Sequence, residues 1–186
     1  ISTQALGSEE VTNGDFSGTE LIDDGSFPLP NVNWIVGYSW TITGTSANKT
    51  TGNSDLSQSI PSLISGKQYT ITLEATHSSG SLSVRLGGST PQTITSSGSK
   101  TLTFTAGAST TLLFYSSFVG SITNVSVKEL GEGWTLGTGW SIGEDKLVAT
   151  AGTTSYAKQY GVGVIGTSYK VVVDVGVVSS GAVYIY

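Results

Sequence analysis

The chain has no cysteine and no methionine. Without cysteine there is no disulfide framework, no thiolate nucleophile and no Cys-ligated zinc, and redox usage says nothing about compartment. Charge is scarce: Asp, Glu, Lys and Arg are 11% of the 186 residues, for a formal net charge of −5. The 8 Lys and Arg form no stripe, which removes the electrostatic footprint of nucleic-acid binding. Long apolar runs are missing too. The most apolar stretch, Val171-Val172-Val173-Asp174-Val175-Gly176-Val177-Val178, is far short of the roughly 20 residues that cross a bilayer as a helix, so membrane insertion is not expected. No basic leader precedes Ile1; either one was removed or none was needed. No segment carries a 3.6-residue period, so helices are not expected.

What remains is a strand-forming composition. Ser and Thr supply 55 residues and Gly another 25, while Val, Ile, Thr, Tyr and Trp are abundant enough to separate the chain from a disordered one. Strands are predicted over 34–36, 39–43, 56–60, 68–76, 81–86, 92–95, 100–105, 110–115 and 121–128. Turn signals separate them, among them Gly44-Thr-Ser-Ala-Asn48, Ser65-Gly66, Ser78-Ser-Gly80 and Gly87-Gly88. Alternation is clearest in Tyr69-Thr-Ile71-Thr-Leu73-Glu-Ala75, Leu82-Ser-Val84-Arg-Leu86 and Ile122-Thr-Asn-Val125-Ser-Val127. A period of two puts one face in a core and the other in water. Short strands at this spacing predict an all-β fold, an antiparallel β-sandwich or jelly roll.

The chain also repeats itself. Trp34-Ile-Val-Gly-Tyr-Ser-Trp40-Thr-Ile42 returns as Trp134-Thr-Leu-Gly-Thr-Gly-Trp140-Ser-Ile142. Gly66-Lys-Gln-Tyr69-Thr-Ile-Thr-Leu-Glu74 returns as Gly166-Thr-Ser-Tyr169-Lys-Val-Val-Val-Asp174, and Ser78-Ser-Gly80 as Ser179-Ser-Gly181, one residue out of phase. A fixed long period means duplicated modules. Three parts are expected: an N-terminal extension over 1–9, a complete sandwich over 10–130, and the start of a second, homologous sandwich over 131–186, truncated. The junction Glu129-Leu130-Gly131-Glu132-Gly133 is short enough to imply a stiff tandem. The insertion from Gly18 to Asn33, with Pro28 and Pro30, reads as an ordered surface loop. A sandwich lacking its last four strands would expose an edge and an open core. Either the chain continues beyond Tyr186, the favoured reading, or another subunit lends strands by β-augmentation.

Three stretches together resemble the galactose-binding-like jelly rolls, close to carbohydrate-binding modules of extracellular enzymes. They are more similar still to the tandem copies of that module in tail fibres and other virion proteins of tailed bacteriophages. The stretches are the opening Asn13-Gly14-Asp15-Phe16, the Trp34–Ile42 segment with its Gly133–Ile142 copy, and the closing strand Ile122–Glu129. The resemblance implies a structural calcium held by carboxylates after the opening Phe and before the closing Val. Here those places are Ser17 and Thr123-Asn124. Calcium takes six to eight oxygens, and Asn13, Asp15 and Glu129 are left as the donors for it. No other cofactor is expected.

Aromatic rings are the one ligand-binding chemistry the sequence offers, since Trp and Tyr faces stack on the C–H faces of sugars. Tyr38, Trp40, Tyr115 and Trp140 are the candidate carbohydrate contacts. The competing reading is packing: Trp34 and Trp40 recur at matching places in both copies, as core residues of a repeated fold would. Tyr38 differs, because its counterpart is Thr138, and a position free to change between copies tends to face outward. His77 is the sole histidine, at a hairpin turn beside abundant serine, and reads as a solvent-facing turn residue rather than a catalytic base. The pairs Glu9-Glu10 and Asp23-Asp24 are neighbours along an extended chain and point opposite ways, unlike the facing carboxylates of a glycosidase. No catalytic residue is expected.

The resemblance therefore implies a non-enzymatic virion structural protein, a fibre or appendage module of a tailed phage, with host-surface glycan binding as a secondary role. Its expected place is the virion or an extracellular surface, its partners other subunits in a homo-oligomer and a cell-surface glycan. Two rivals stay open: a carbohydrate-binding module of a bacterial surface or secreted protein, and a subunit of an extracellular filament completed by strand exchange.

Overall fold

A computed structural model of the chain describes residues 8, 10, 11, 16, 18–143, 146–150, 152 and 154–185. Among these residues there is no helix. By internal contact the chain divides into a large unit, Gly18–Leu130, and a small one, Gly131–Tyr186 with Ile1–Ser17.

The large unit is a β-sandwich of two five-stranded antiparallel sheets. Its strands are β1 (Ile35–Val36), β2 (Trp40–Ile42), β3 (Ala47–Lys49), β4 (Leu56–Ser59), β5 (Gln68–Ser79), β6 (Leu82–Leu86), β7 (Gln92–Ile94), β8 (Gly98–Thr105), β9 (Thr111–Tyr115) and β10 (Val119–Glu129). Sheet A runs β2-β3-β10-β5-β8, and sheet B runs β1-β4-β9-β6-β7. Alternation decides which side chains go in. In β5, Tyr69, Ile71, Leu73 and Ala75 are buried while Gln68 and Thr72 are exposed. In β6, Leu82, Val84 and Leu86 are buried, and β9 buries Leu112 and Phe114. The two inner faces close on each other as one core, which removes enough apolar area to offset the entropy of ordering the chain.

Two features depart from the sequence reading. The strand β3 begins within the last two residues of the segment read as a turn and runs on to Lys49, because Ala47 and Lys49 face inward at 0% and 2% exposure, and a buried lysine does not look like a core residue in a sequence. The Gly18–Asn33 insertion is not merely a surface loop. It buries Phe27 completely and Ile22 nearly so, and Phe27 packs on Trp34 with ring centroids 4.9 Å apart. Buried Gln58 clips it down, accepting from the Asp23 N–H at 2.9 Å and donating to the Asp23 carbonyl at 2.7 Å. Glu20 ties its start to a bulge in β10, accepting from the Val127 N–H at 2.8 Å and from the Ser126 hydroxyl.

The small unit has four short strands: β11 (Thr135–Leu136), β12 (Trp140–Gly143), β13 (Lys146–Ala149) and β14 (Ala157–Lys158). They pair β11 with β14 and β12 with β13, as β1 pairs with β4 and β2 with β3. Hydrogen bonds recur with the strands. The Trp40 N–H bonds the Gly37 carbonyl at 2.9 Å, and the Trp140 N–H bonds Gly137 at 3.1 Å. Gly37 donates to Asp55 and Gly137 to Tyr156, both at 2.8 Å. The indole Nε1 of Trp40 donates to the Ser54 carbonyl at 3.1 Å, and that of Trp140 to Ser155 at 2.9 Å. The Ile64 N–H reaches the Tyr69 hydroxyl at 2.9 Å, and the Val164 N–H reaches Tyr169 at 3.0 Å. Beyond Lys158 the described residues form no strand.

Candidate functional site

Of the predicted carbohydrate contacts, Trp40 lies in the core at 4% exposure, its indole N–H bonded to Ser54 and its ring beside Phe118. Packing is its role, and no ring face is left for a sugar. Trp34 is placed likewise, against Phe27 and Phe114. Trp140 is half-buried in the small unit, with its N–H bonded to Ser155. Tyr38 is the exposed one, at 82%. It lies in the turn between β1 and β2 next to Gly52, and its hydroxyl accepts from the Asn53 N–H at 3.3 Å.

Tyr115 ends β9 on the outer face of sheet B. The register sets Ser83 opposite Tyr115, and Thr93 of β7 opposite Ser83. The next row on the same face holds Arg85, Leu113, Ser57 and Ile35 across four strands. Alternation in β6 and β9 puts these side chains outward for the same reason that it puts Val84 and Phe114 inward. Asp55 precedes β4 and accepts from the Gly37 N–H, so the turn carrying Tyr38 is fastened near the end of the sheet where Tyr115 sits. Tyr38 and Tyr115 thus belong to one end of sheet B.

Arg85 also belongs to this face, and an aromatic pattern in the sequence does not point to it. Its guanidinium carbon stands 5.3 Å from the Tyr115 ring centroid, and Nη2 donates to the Tyr115 hydroxyl at 3.2 Å. A guanidinium over an aromatic face is attracted by the ring quadrupole. The alternation Leu82-Ser-Val84-Arg-Leu86 carried the signal: a charged residue at an outward position of a central strand.

A second polar cluster lies inside. Lys49 Nζ donates to Ser39 Oγ at 2.6 Å, to the Gly52 carbonyl at 2.9 Å and to the Ser54 carbonyl at 3.1 Å, over the Trp40 ring at 5.3 Å. All three ammonium donors are satisfied, as a buried charge requires. Burial still holds its pKa below the ordinary 10.5, opposed in part by the Asp55 carboxylate. The cluster braces the 37–54 hairpin and has no opening to a substrate.

The implied calcium finds no support at Glu129. One carboxylate oxygen pairs with Lys67 Nζ at 2.9 Å and the other faces the Tyr69 hydroxyl at 3.5 Å, so an ammonium already stands where a cation would go. Asn13 and Asp15 lie outside the described residues. Among the described residues no group of three or more His, Asp or Glu is placed to hold a metal ion. His77 pins the turn between β5 and β6, where the chain crosses from sheet A to sheet B, with Nε2 2.8 Å from the Gly80 carbonyl. A hollow of about 310 Å³ between Ser89–Gln92 and Thr103–Thr105 has an uncharged lining. No protein-family model matches the chain, and no curated protein matches it.

Proposed function

We propose that this chain is a non-enzymatic structural module of an extracellular projection, such as the fibre of a tailed phage, built from jelly-roll copies in tandem. The observation that carries the reading is the shared hydrogen-bond pattern of the two units. The bonds around Trp40 recur around Trp140, and the Tyr69 bond recurs at Tyr169. Tandem copies joined by a short link suit a stiff projection. Support for a jelly roll comes from the way successive strands β4, β5, β6 and then β7, β8, β9, β10 change sheets. The absence of Cys and Met and the low charge suit long exposure outside a cell. Its partners are further copies of the same protein, and its place is a virion or a cell surface.

Glycan attachment is the module's secondary role, through the Tyr38, Tyr115 and Arg85 end of sheet B. That exposed end equally favours a second reading, a carbohydrate-binding module of a secreted or surface protein. Immunogold labelling with antibody to this chain, on cultures of the source organism, separates the two. Label along thin projections of particles is expected. Label confined to the cell interior would overturn the projection, and label on particle-free secreted material would favour the binding module.

A further inference from the structure

We infer that the outer face of sheet B takes a saccharide bearing a carboxylate, held by Arg85. The inference rests on the glycan-binding part of the function proposed above and names its ligand class. A neutral sugar would need the open face of Tyr115, but the Arg85 guanidinium lies over that ring at 5.3 Å. The group offered at this place is therefore a cation.

Among the described residues the cation has no counter-ion: the ion pair is Lys67–Glu129, and no carboxylate approaches Arg85 to pairing distance. Nη2 donates to the Tyr115 hydroxyl and the Nε–H, which meets no acceptor, is itself buried, so a ligand would meet the guanidinium at its Nη edge. Carboxylates are few, 13 in 186 residues, and the one at this end of the sheet, Asp55, is not paired with the arginine. A planar guanidinium matches a carboxylate in two parallel hydrogen bonds, which a lysine cannot copy.

The surroundings favour a saccharide over an acidic peptide. Ser57, Ser83 and Thr93 bring hydroxyls to the same face, and Leu113 with Ile35, 71% exposed, gives apolar surface for the C–H side of a pyranose. The face is open and nearly free of competing charge, so a ring lying across rows of hydroxyls fits it better than a peptide needing an unpaired strand edge. Both Ser57 and Arg85 sit in inner strands of sheet B, β4 and β6.

The test uses the whole chain against oligogalacturonate, oligoalginate and oligosialate, each beside its methyl ester, by isothermal titration. The ester keeps the ring and removes the charge. At least one acidic oligosaccharide should bind, and its ester should bind at least about tenfold more weakly, the scale of a charge-assisted hydrogen bond. Arg85→Gln should show the same loss and Arg85→Lys a smaller one. Ser83→Glu keeps Arg85 but gives it an internal carboxylate, and should also abolish binding while the unfolding midpoint stays in place. Equal binding of acid and ester, or of poly-glutamate and the acidic sugar, would overturn the inference. A neutral glycan that binds regardless of Arg85 would overturn it while leaving glycan attachment standing. Silence across acidic and neutral sugars would remove both, and the projection would still be decided by labelling.

Discussion

Tyr69 and Tyr169 make the same hydrogen bond, accepting the N–H of the residue five places upstream, yet one ring is fully buried and the other is 44% exposed. Gly66 and Gly166 turn the chain just before them with φ of 84° and 86°. From there the two copies part. Gln68–Ser79 becomes the longest strand of the sandwich, paired with β8 on one side and β10 on the other. Lys170 to Val178 forms no strand, and Val172, Val177 and their neighbours stand exposed. The valine run has the higher β-propensity of the two. Propensity alone does not make a strand, because what it measures is packing against cross-strand and same-face neighbours. Local hydrogen bonds form wherever the local sequence encodes them; sheet order needs partners from afar.

This contrast can be broken or sharpened by paired substitutions, read by segment-resolved hydrogen exchange with denaturant titration. Phe114→Ala empties a fully buried site and should destabilise the large unit by about 3–5 kcal/mol. Val173→Ala, at 52% exposure, should change stability by less than about 0.5 kcal/mol. Equal effects would mean that the small unit has its own packed core at that place.

Glycine gives the next contrast. At Gly80, with φ 75°, an added Cβ would strike the Ser117 carbonyl oxygen, whereas at Gly181, with φ 87°, nothing lies within 4 Å. Gly80→Ala should cost about 1–3 kcal/mol and loosen the turn that carries β5 of one sheet into β6 of the other. Gly181→Ala, strained by a similar positive φ but meeting no atom, should cost less and leave protection outside its own turn unchanged. Loss of protection in both would show that the 179–181 turn is packed.

Removal of the tyrosine hydroxyls is a smaller change. Tyr69→Phe deprives the Ile64 N–H of its acceptor in a part-buried bond, for about 1 kcal/mol. Tyr169→Phe should fall within about 0.5 kcal/mol, because water can replace an exposed hydroxyl.

The smallest effect is in pH. Lys49 stands opposite Trp40 where Ala149 stands opposite Trp140. Its folded pKa is lowered from 10.5 by burial. Between that lowered value and 10.5 the unfolded chain holds more protons, so stability rises with pH across the window. The Tyr69 phenol works the other way. Burial raises it above 10.0, with the Ile64 N–H opposing and Glu129 reinforcing, and its contribution falls as pH climbs past 10.0. Lys49→Met keeps Tyr69 and removes only the rising component. Wild type should therefore gain on Lys49→Met as pH approaches 10.5 in urea titrations, and a constant difference would refute the assignment.

Much of the large unit is legible along the chain. The strands at Tyr69, Leu82, Leu112 and Ile122 follow from alternation, with boundaries off by a residue or a few. Legibility failed where burial was polar or non-periodic. Lys49 is a core residue only because Ser39, Gly52 and Ser54 surround its ammonium, and those contacts span a hairpin. Phe27 sits among Pro28, Pro30 and Asp24 in a stretch with no period, yet it fills the interior beneath Trp34. At the candidate site Tyr38 and Tyr115 were visible as aromatics. Arg85 was not, because its meaning comes from lying across the Tyr115 ring thirty positions away.

The sequence by itself determined the all-β character, the inward and outward faces of the longer strands, and the repeated turns at Trp40, Gly66 and their copies. These depend on neighbours a few residues apart, through side-chain period and the backbone freedom of glycine. Tertiary structure alone decided which tryptophans are core, that an insertion plugs the sandwich, that a cation covers Tyr115, and that only one of two similar segments is a strand. Each of these depends on groups far apart in the chain meeting in space, which local pattern does not encode.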